Sequence, residues 1–250
     1  MRVVAAILAR WNSSRLPGKI MREVAGKPLI GHLIDRLCYC RSLDAIVVAT
    51  SDESADDVTA DYCRSRGTDC FRGNHDDVLD RLTSTFRAFR AEAGVVIFGD
   101  GPLVDPRIVD ELVATFLALS PSIDFVGNDL ESTYPAGTEA EVVRVAALEE
   151  ANGRKIDPSI REHGTLFLRK HPELYRLKSI AAPPELRRPE IEIEVDEEID
   201  LDVVSAILRH FSARPDVSTA EVIAFLDQRP DLTTQNRSVE RRWRQYRADK

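Results

Sequence analysis

The sequence has 250 residues, of which 43% are hydrophobic and 30% charged, a composition typical of a globular domain. Its 42 acidic and 34 basic residues give a net charge of −8, which argues against a nucleic-acid-coating protein. No apolar run approaches the ~18 residues of a membrane span. The four cysteines form no Cys-x-x-Cys pair, so we expect reduced thiols and no zinc site. Because Met1 and Arg2 lead directly into an apolar run, we expect no leader peptide, a cytoplasmic location, and neither nucleic acid nor membrane as partner.

The first half of the chain alternates predicted strands with predicted helices. Short apolar runs predict strands at residues 3–8, 45–50, 68–71, 95–98 and 123–126. Apolar residues spaced three and four apart predict helices at residues 28–39, around Val58 and Tyr62, at 77–92 and at 106–119. Residues 51–54 are expected to cap the second of these helices. This alternation predicts βαβ units and an α/β fold around a mostly parallel central sheet.

The second half of the chain is less regular. A turn-rich loop at residues 132–137 precedes predicted strands at 141–145, 174–181 and 190–195. Helices are predicted at 146–153, at 159–170, from Ile199 onward and at 219–226. We therefore expect one domain over residues 1–235, with a smaller acceptor and dimerisation subregion at about 130–195. Residues 236–250 are expected to be a basic C-terminal helix or tail, for which a solvated or partner-packed helix is favoured over a nucleic-acid contact.

A basic loop follows the first predicted strand. Residues 9–19 read Ala-Arg-Trp-Asn-Ser-Ser-Arg-Leu-Pro-Gly-Lys, so Arg10, Arg15 and Lys19 lie at the carboxyl end of that strand, where open α/β sheets bind ligands. Backbone N–H groups, hydroxyls and fixed positive charges are suited to phosphate oxygens. The P-loop pattern and Gly-x-Gly-x-x-Gly are both absent. The alternative is a solvated surface loop, but this clustering of cations favours a phosphate-binding loop.

Two aspartates also follow predicted strands. Asp100 comes after residues 95–98 and Asp196 after residues 190–195. Since strand ends of a parallel sheet share one edge, both carboxylates can meet the basic loop there. Mg²⁺ usually takes one or two carboxylates together with phosphate oxygens, so the combination predicts a metal-bound nucleoside triphosphate. Taken singly, Asp100 also fits a turn and Asp196 also fits a helix N-terminus.

These residues carry a resemblance to a known family. The basic loop resembles the Ala-Arg-x-x-Ser-x-Arg-Leu-Pro-Gly-Lys signature of sugar-activating cytidylyltransferases, which include the CMP-3-deoxy-manno-octulosonate and CMP-sialate synthetases. The best match is the spore-coat polysaccharide biosynthesis type. Further matching segments follow in the same order, at residues 47–52, 71–81, 99–106, 133–137, 161–163, 169–173 and 194–201.

The resemblance implies a Rossmann-like nucleotide-diphospho-sugar transferase fold, a homodimer, and CTP and a small-molecule acceptor as substrates. It implies Mg²⁺ as the cofactor, held by Asp100 and Asp196. Catalytic roles would fall to Arg10, Lys19 and Asp100. The implied nucleotide-binding residues are Leu8, Ala9, Arg10, Ser14, Arg15, Lys19, Arg72, Gly73 and Asp77. The implied acceptor-binding residues are Tyr134, Gly137, Glu139 and His163.

The sequence departs from the family pattern near the expected acceptor. Gly101 replaces a common cysteine, Trp11-Asn12 replaces a common Met-Gly, and Ala136 and Glu139 each replace a common aspartate. The acceptor is therefore expected to be an acidic keto-sugar or another small oxyanion, such as a phosphonate or a sugar phosphate. A preference for another triphosphate, a glycosyltransferase using a sugar nucleotide, and a non-catalytic binding protein are the alternative hypotheses.

Overall fold

The computed structural model describes residues 1–241, and they form an α/β fold. The strands are β1 (Val3–Leu8), β2 (Glu23–Val24), β3 (Lys27–Pro28), β4 (Ala45–Ser51), β5 (Asp69–Gly73), β6 (Ala93–Phe98), β7 (Phe125–Gly127), β8 (Ala140–Arg144) and β9 (Leu177–Ser179). The helices are α1 (Leu29–Leu37), α2 (Asp57–Arg66), α3 (Val78–Ala88), α4 (Pro106–Leu119), α5 (Val145–Asn152), α6 (Pro158–Arg161), α7 (Leu166–Lys170), α8 (Glu198–His210), α9 (Thr219–Asp227) and α10 (Pro230–Gln235).

Seven strands form the central sheet, in the order β5-β4-β1-β6-β8-β7-β9. The strands β5, β4, β1 and β6 pair in parallel, β8 is antiparallel to both of its neighbours, and β9 pairs in parallel with β7. The predicted α/β class and mostly parallel sheet are confirmed. Because β1 and β6 are parallel neighbours, their carboxyl ends lie side by side at one edge.

Both faces of the sheet are buried, which explains the continuous apolar run of β1. Val3, Ala5 and Ile7 pack with helices α1 and α4. Val4 and Ala6 point to the other face and pack with α3 and α5. A third apolar cluster joins residues 191–195 to α8 and α9. Within residues 1–241, no helix has both the length and the apolar character needed to cross a membrane.

Three local predictions were wrong. Residues 190–195 do not form a strand; they run alongside Ala136, whose N–H donates to Ile191 O at 3.0 Å and whose carbonyl accepts from Ile193 N at 2.8 Å. The helix predicted at 159–170 is two helices, α6 and α7, because Gly164 between them has φ of +57°. The side chains of residues 51–54 do not cap α2, which continues from a 3₁₀ turn at Ser54–Asp56.

The predicted C-terminal helix lies partly outside the described residues. Helix α10 ends at Gln235, and Val239 and Arg241 beyond it are buried. The extent of a single domain over residues 1–235 stays a prediction.

Candidate active site

A cavity of about 320 Å³ opens at the carboxyl ends of β1 and β6. It is lined by residues from both halves of the chain: Leu8, Arg10, Arg15, Val78, Arg81, Phe98, Asp100, Gly101, Val104, Asp129, Gly137, Glu139, Glu162, His163, Leu166, Arg169, Glu194 and Asp196. Four arginines and six acidic residues therefore face one cleft. Such convergence of charged groups in a cleft marks a candidate site for a charged ligand.

The basic loop is closed upon itself beside this cavity. The Trp11 carbonyl accepts from the Gly18 N–H at 2.8 Å, and the Trp11 N–H donates to the buried Asp56 carboxylate at 2.7 Å. Gly18 has φ of +70°, and a Cβ atom there would lie 2.8 Å from the Trp11 indole. The indole thus packs against a glycine that admits no side chain. Trp11, which departs from the family pattern, fixes the shape of the loop between Arg10 and Lys19.

Lys19 lies below the cavity and joins the two aspartates. Its Nζ donates to Asp100 Oδ2 at 2.9 Å, to Asp196 Oδ1 at 3.2 Å and to the Val195 carbonyl at 2.6 Å. Burial alone would lower the pKa of Lys19, but the two carboxylates outweigh it and raise the pKa above its ordinary value. Lys19 is therefore a fixed positive charge at neutral pH. The chain brings together the three predicted groups from positions 19, 100 and 196.

Asp196 reaches this position without a preceding strand. The Val195 N–H donates to the Asp100 carbonyl at 2.9 Å, so one hydrogen bond ties residues 191–196 to the end of β6. Arg15 comes from the other side, with its Nη2 2.5 Å from Asp196 Oδ2. Arg10 points into the same cavity and pairs with Glu162 at 3.1 Å.

The carboxylates fit a divalent cation together with phosphate oxygens. Asp100 and Asp196 both contact the single amine of Lys19, so their oxygens converge on one small region. Burial, followed by the nearby carboxylates of Glu139, Asp196 and Asp100, raises the pKa of Glu194 well above its usual range. Among residues 1–241, no group of three or more His, Cys, Asp or Glu has the arrangement of a metal cage. Two protein carboxylates are nevertheless what Mg²⁺ commonly uses alongside phosphates.

The other end of the cavity contains the predicted acceptor-binding turn. The Gly137 N–H donates to Glu139 Oε2 at 2.6 Å, and both residues line the cavity. A Cβ at Gly101 would lie 2.7 Å from the Gly137 carbonyl oxygen. The glycine that replaces the family's cysteine therefore lets this turn approach the end of β6 closely. His163 also lines the cavity, and burial together with the charge of Arg10 lowers its pKa, which favours a neutral imidazole.

A buried ion network lies behind the acceptor end. Arg169 contacts Asp129 Oδ2 at 2.8 Å and Glu141 Oε1 at 3.2 Å. The Thr165 hydroxyl donates to Glu141 Oε2 at 2.6 Å. Burial and the Asp129 carboxylate raise the pKa of Glu141 to about 8. This network fixes β8 to α7 and positions Arg169 and Asp129 on the cavity wall.

Several predicted site residues lie elsewhere. Arg72 donates to the Ser51 and Glu53 carbonyls and pairs with Asp57, so it braces β5 against the β4–α2 turn. Asp77 caps α3 and accepts from Arg161 at 2.7 Å. Five more also do not line the cavity: Lys19 lies beneath it, Ala9 is buried, Ser14 is exposed, Gly73 is half-buried, and Tyr134 is in the apolar core. Burial raises the pKa of Tyr134 to about 12.

Sequence reasoning missed five polar residues of the cavity wall, namely Arg81, Asp129, Glu162, Arg169 and Glu194. Arg81 is 2% exposed and donates to the Asn74 and His75 carbonyls, and burial lowers its pKa to about 10. Arg81, Arg169 and Glu194 fall inside the segments that carry the resemblance. A charged residue on the apolar face of a predicted helix was the available signal for Arg81.

Comparisons with known proteins identify the family of the chain. The model of the cytidylyltransferase family matches residues 4–237. The spore coat polysaccharide biosynthesis protein SpsF of Bacillus subtilis is 31% identical over 238 residues, which cover 93% of this chain and 97% of that protein. A 3-deoxy-manno-octulosonate cytidylyltransferase of Geobacter sulfurreducens is 35% identical over 125 residues, 49% of this chain and 48% of that one. A solved cytidylyltransferase from Leptospira borgpetersenii is similar with a TM-score of 0.90 at 25% identity, covering 96% of this chain and 100% of its own. The chain thus belongs to the cytidylyltransferase family.

Proposed function

We propose that the protein transfers CMP from CTP to an acidic sugar or a similar small oxyanion acceptor, releases pyrophosphate and uses Mg²⁺. The observation that carries the proposal is the meeting of Lys19, Asp100 and Asp196 at the floor of the cavity. Two of the similar proteins are named for polysaccharide biosynthesis and for cytidylyl transfer to 3-deoxy-manno-octulosonate, which supports a sugar acid as acceptor.

The reaction proposed is an in-line attack of an acceptor oxygen on the α-phosphorus. Arg10, Arg15 and Lys19 bind the triphosphate oxygens and offset the charge that develops on the leaving pyrophosphate. Asp100 and Asp196 would hold Mg²⁺, which would supply further charge neutralisation at the phosphates when bound. The closed loop between Trp11 and Gly18 fixes the backbone that carries these cations before the substrate arrives. Such positioning supplies much of the rate in phosphoryl transfer.

Acceptor recognition is assigned to the opposite end of the cavity. Gly137, Glu139 and His163 line it there, and the neutral imidazole of His163 can accept a hydrogen bond from a hydroxyl. Asp129 and Glu194 add carboxylate oxygens, which suit an acceptor rich in hydroxyl groups. A phosphonate or sugar phosphate is the alternative acceptor, and another triphosphate is the alternative donor. Membership of the family favours either over a glycosyltransferase.

Pyrophosphate release from CTP with a panel of acceptors tests the proposal. We expect turnover that EDTA abolishes, and a rate loss of about 100-fold or more in Lys19→Met and in Asp100→Asn. Lys27→Met is the matched control, since Lys27 is paired with Asp35 and lies outside the cavity. Full turnover by the first two variants would refute the assigned roles. Selective thermal stabilisation by CTP among the four triphosphates would support the donor.

A homodimer and a cytoplasmic location are also proposed, on the strength of the resemblance. Sedimentation of a 28.0 kDa particle at micromolar concentration would contradict the dimer. Fractionation of cells that placed the protein with membranes would contradict the location.

A further inference from the structure

Arg241 lies beneath the candidate metal carboxylates. Its side chain is 1% exposed, and its guanidinium donates to Asp200 through Nη1 at 3.0 Å and Nη2 at 2.6 Å. Its Nε lies 3.3 Å from Glu192 Oε2, and its Nη1 lies 3.6 Å from both Glu194 Oε1 and Asp196 Oδ2. One buried cation thus serves four carboxylates.

Three of these acids share one side of an extended segment. Glu192, Glu194 and Asp196 are two residues apart, so their side chains point the same way. The residues that alternate with them, at 191, 193 and 195, are buried in the apolar cluster with α8 and α9. The segment can keep its acidic side toward the cavity only while a cation offsets the charge, because unpaired buried carboxylates are costly.

Arg241 also acts on Asp196 through the backbone. The Asp200 carboxylate that Arg241 grips accepts from the Asp196 N–H at 3.0 Å and from the Glu197 N–H at 2.9 Å. The same carboxylate accepts from Asn236 at its other oxygen. The main chain at Asp196 is therefore fixed by Asp200, which is in turn oriented by the forked guanidinium.

The other cations of Asp196 are those assigned to the substrate. Arg15 and Lys19 contact Asp196 at 2.5 Å and 3.2 Å, and both would turn to the triphosphate when it binds. The Arg241 side chain is 1% exposed, does not line the cavity and has no role in the proposed substrate binding, so we expect it to stay with Asp196. Arg15 also donates to the Glu240 carbonyl at 2.6 Å, which ties the residues before Arg241 to the basic loop.

From these contacts we propose that Arg241 is a positioning residue that holds Asp196 in place for the divalent cation. The inference rests on the proposed function. Loss of Arg241 has two opposing effects on metal affinity. Removing a positive charge favours the cation, whereas releasing Asp196 and its supporting Asp200 disfavours it. Residues that orient metal ligands are commonly worth 10- to 100-fold in affinity, so the loss of orientation dominates.

The affinity of the site for a divalent cation can be measured without turnover, as Mn²⁺ binding in the presence of non-hydrolysable α,β-methylene CTP. By electron paramagnetic resonance of free Mn²⁺, we expect Arg241→Met to raise the half-saturating concentration about tenfold. The control is Arg144→Met, which breaks a two-point ion pair with Asp124 outside the cavity and should leave that concentration unchanged.

Arg241→Lys serves if the methionine variant does not fold. It keeps the charge, loses the two-point grip on Asp200, and should still bind Mn²⁺ more weakly than the unmodified protein. Unchanged Mn²⁺ binding in either folded variant would overturn the inference while leaving the proposed function intact. If the unmodified protein binds no Mn²⁺ with the nucleotide and releases no pyrophosphate from CTP, both the positioning role of Arg241 and the proposed function are overturned.

Discussion

The buried side chain of Glu141 should make the free energy of unfolding depend on pH, and the substitution Glu141→Gln should remove this dependence. Its side chain is fully buried between Thr165 and Arg169, and burial followed by the charge of Asp129 raises its pKa from 4.5 to about 8. The substitution Glu141→Gln keeps the shape and hydrogen-bonding capacity of the protonated acid and removes the titration. A comparison of the two proteins across pH therefore isolates this one group.

The sign follows from proton binding. Between pH 4.5 and about 8 the folded chain keeps the Glu141 proton while the unfolded chain releases it. The folded state then binds more protons, so this group's contribution to stability is complete below pH 4.5 and is lost as pH rises to about 8. The full interval corresponds to about 5 kcal/mol at 1.4 kcal/mol for each unit of pH. Because relaxation around a buried charge reduces its cost, we expect about 2–3 kcal/mol.

Urea unfolding at pH 5, 7 and 9 measures the effect. We subtract the free energy of unfolding of the unmodified protein from that of Glu141→Gln. This difference should rise by about 2–3 kcal/mol as the pH increases. Glu150→Gln is the control, since Glu150 is an exposed residue paired with Arg154, and its difference should stay flat. Parallel curves for Glu141→Gln and the unmodified protein would refute the assignment of a protonated Glu141.

Two glycine substitutions give further predictions. Gly18→Ala should lower stability by about 1–2 kcal/mol more than Gly26→Ala in thermal unfolding, because both have positive φ but only Gly18 meets the Trp11 indole. Equal losses would show that the indole contact is unimportant. Gly101→Cys should push the Gly137 turn away and raise the KM of the acceptor while the KM of CTP stays constant, as read from pyrophosphate release. A change in the KM of CTP alone would contradict the placement of the Gly137 turn at the acceptor end of the cavity.

The sequence predicted the sheet well because its strands are buried on both faces. Such strands appear as unbroken apolar runs, as in β1, and their alternation with helices predicts parallel pairing. The order of the strands in the sheet was not predicted. The meeting of Lys19, Asp100 and Asp196 was predicted for a reason that was only half right. Asp196 was placed by a strand that does not exist, and a single backbone bond from Val195 to Asp100 supplies the same register.

Residues whose surroundings come from distant parts of the chain were beyond sequence reasoning. Tyr134 lies in a motif of the acceptor loop, yet its ring is packed in the core with α4 and β7. Arg72 is polar and next to a strand end, yet two backbone carbonyls from the β4–α2 turn take its donors. Arg241 lies 41 residues beyond Asp200, its partner. In each case the position of the side chain depends on partners that are distant in the sequence. The pattern of neighbouring residues in the sequence does not show these partners.

The charge balance of the site implies that nucleotide and cation bind cooperatively. Without ligand, Arg15 and Lys19 are paired with Asp100 and Asp196, so each set of charges already neutralises the other. A triphosphate alone would draw Arg15 and Lys19 away, leaving Asp100 without the Lys19 amine and Asp196 with only the more distant Arg241 at 3.6 Å. A metal ion alone would instead draw the carboxylates away from Arg15 and Lys19. When the triphosphate and the metal ion bind together, the triphosphate pairs with the cations and the metal ion pairs with the carboxylates. The coupling must be reciprocal, so Mn²⁺ should tighten nucleotide binding by the same factor by which nucleotide tightens Mn²⁺ binding. Asp100→Asn, which removes one carboxylate charge, should reduce both factors equally in calorimetric titrations, and an unchanged coupling in that variant would show that the carboxylates do not mediate it.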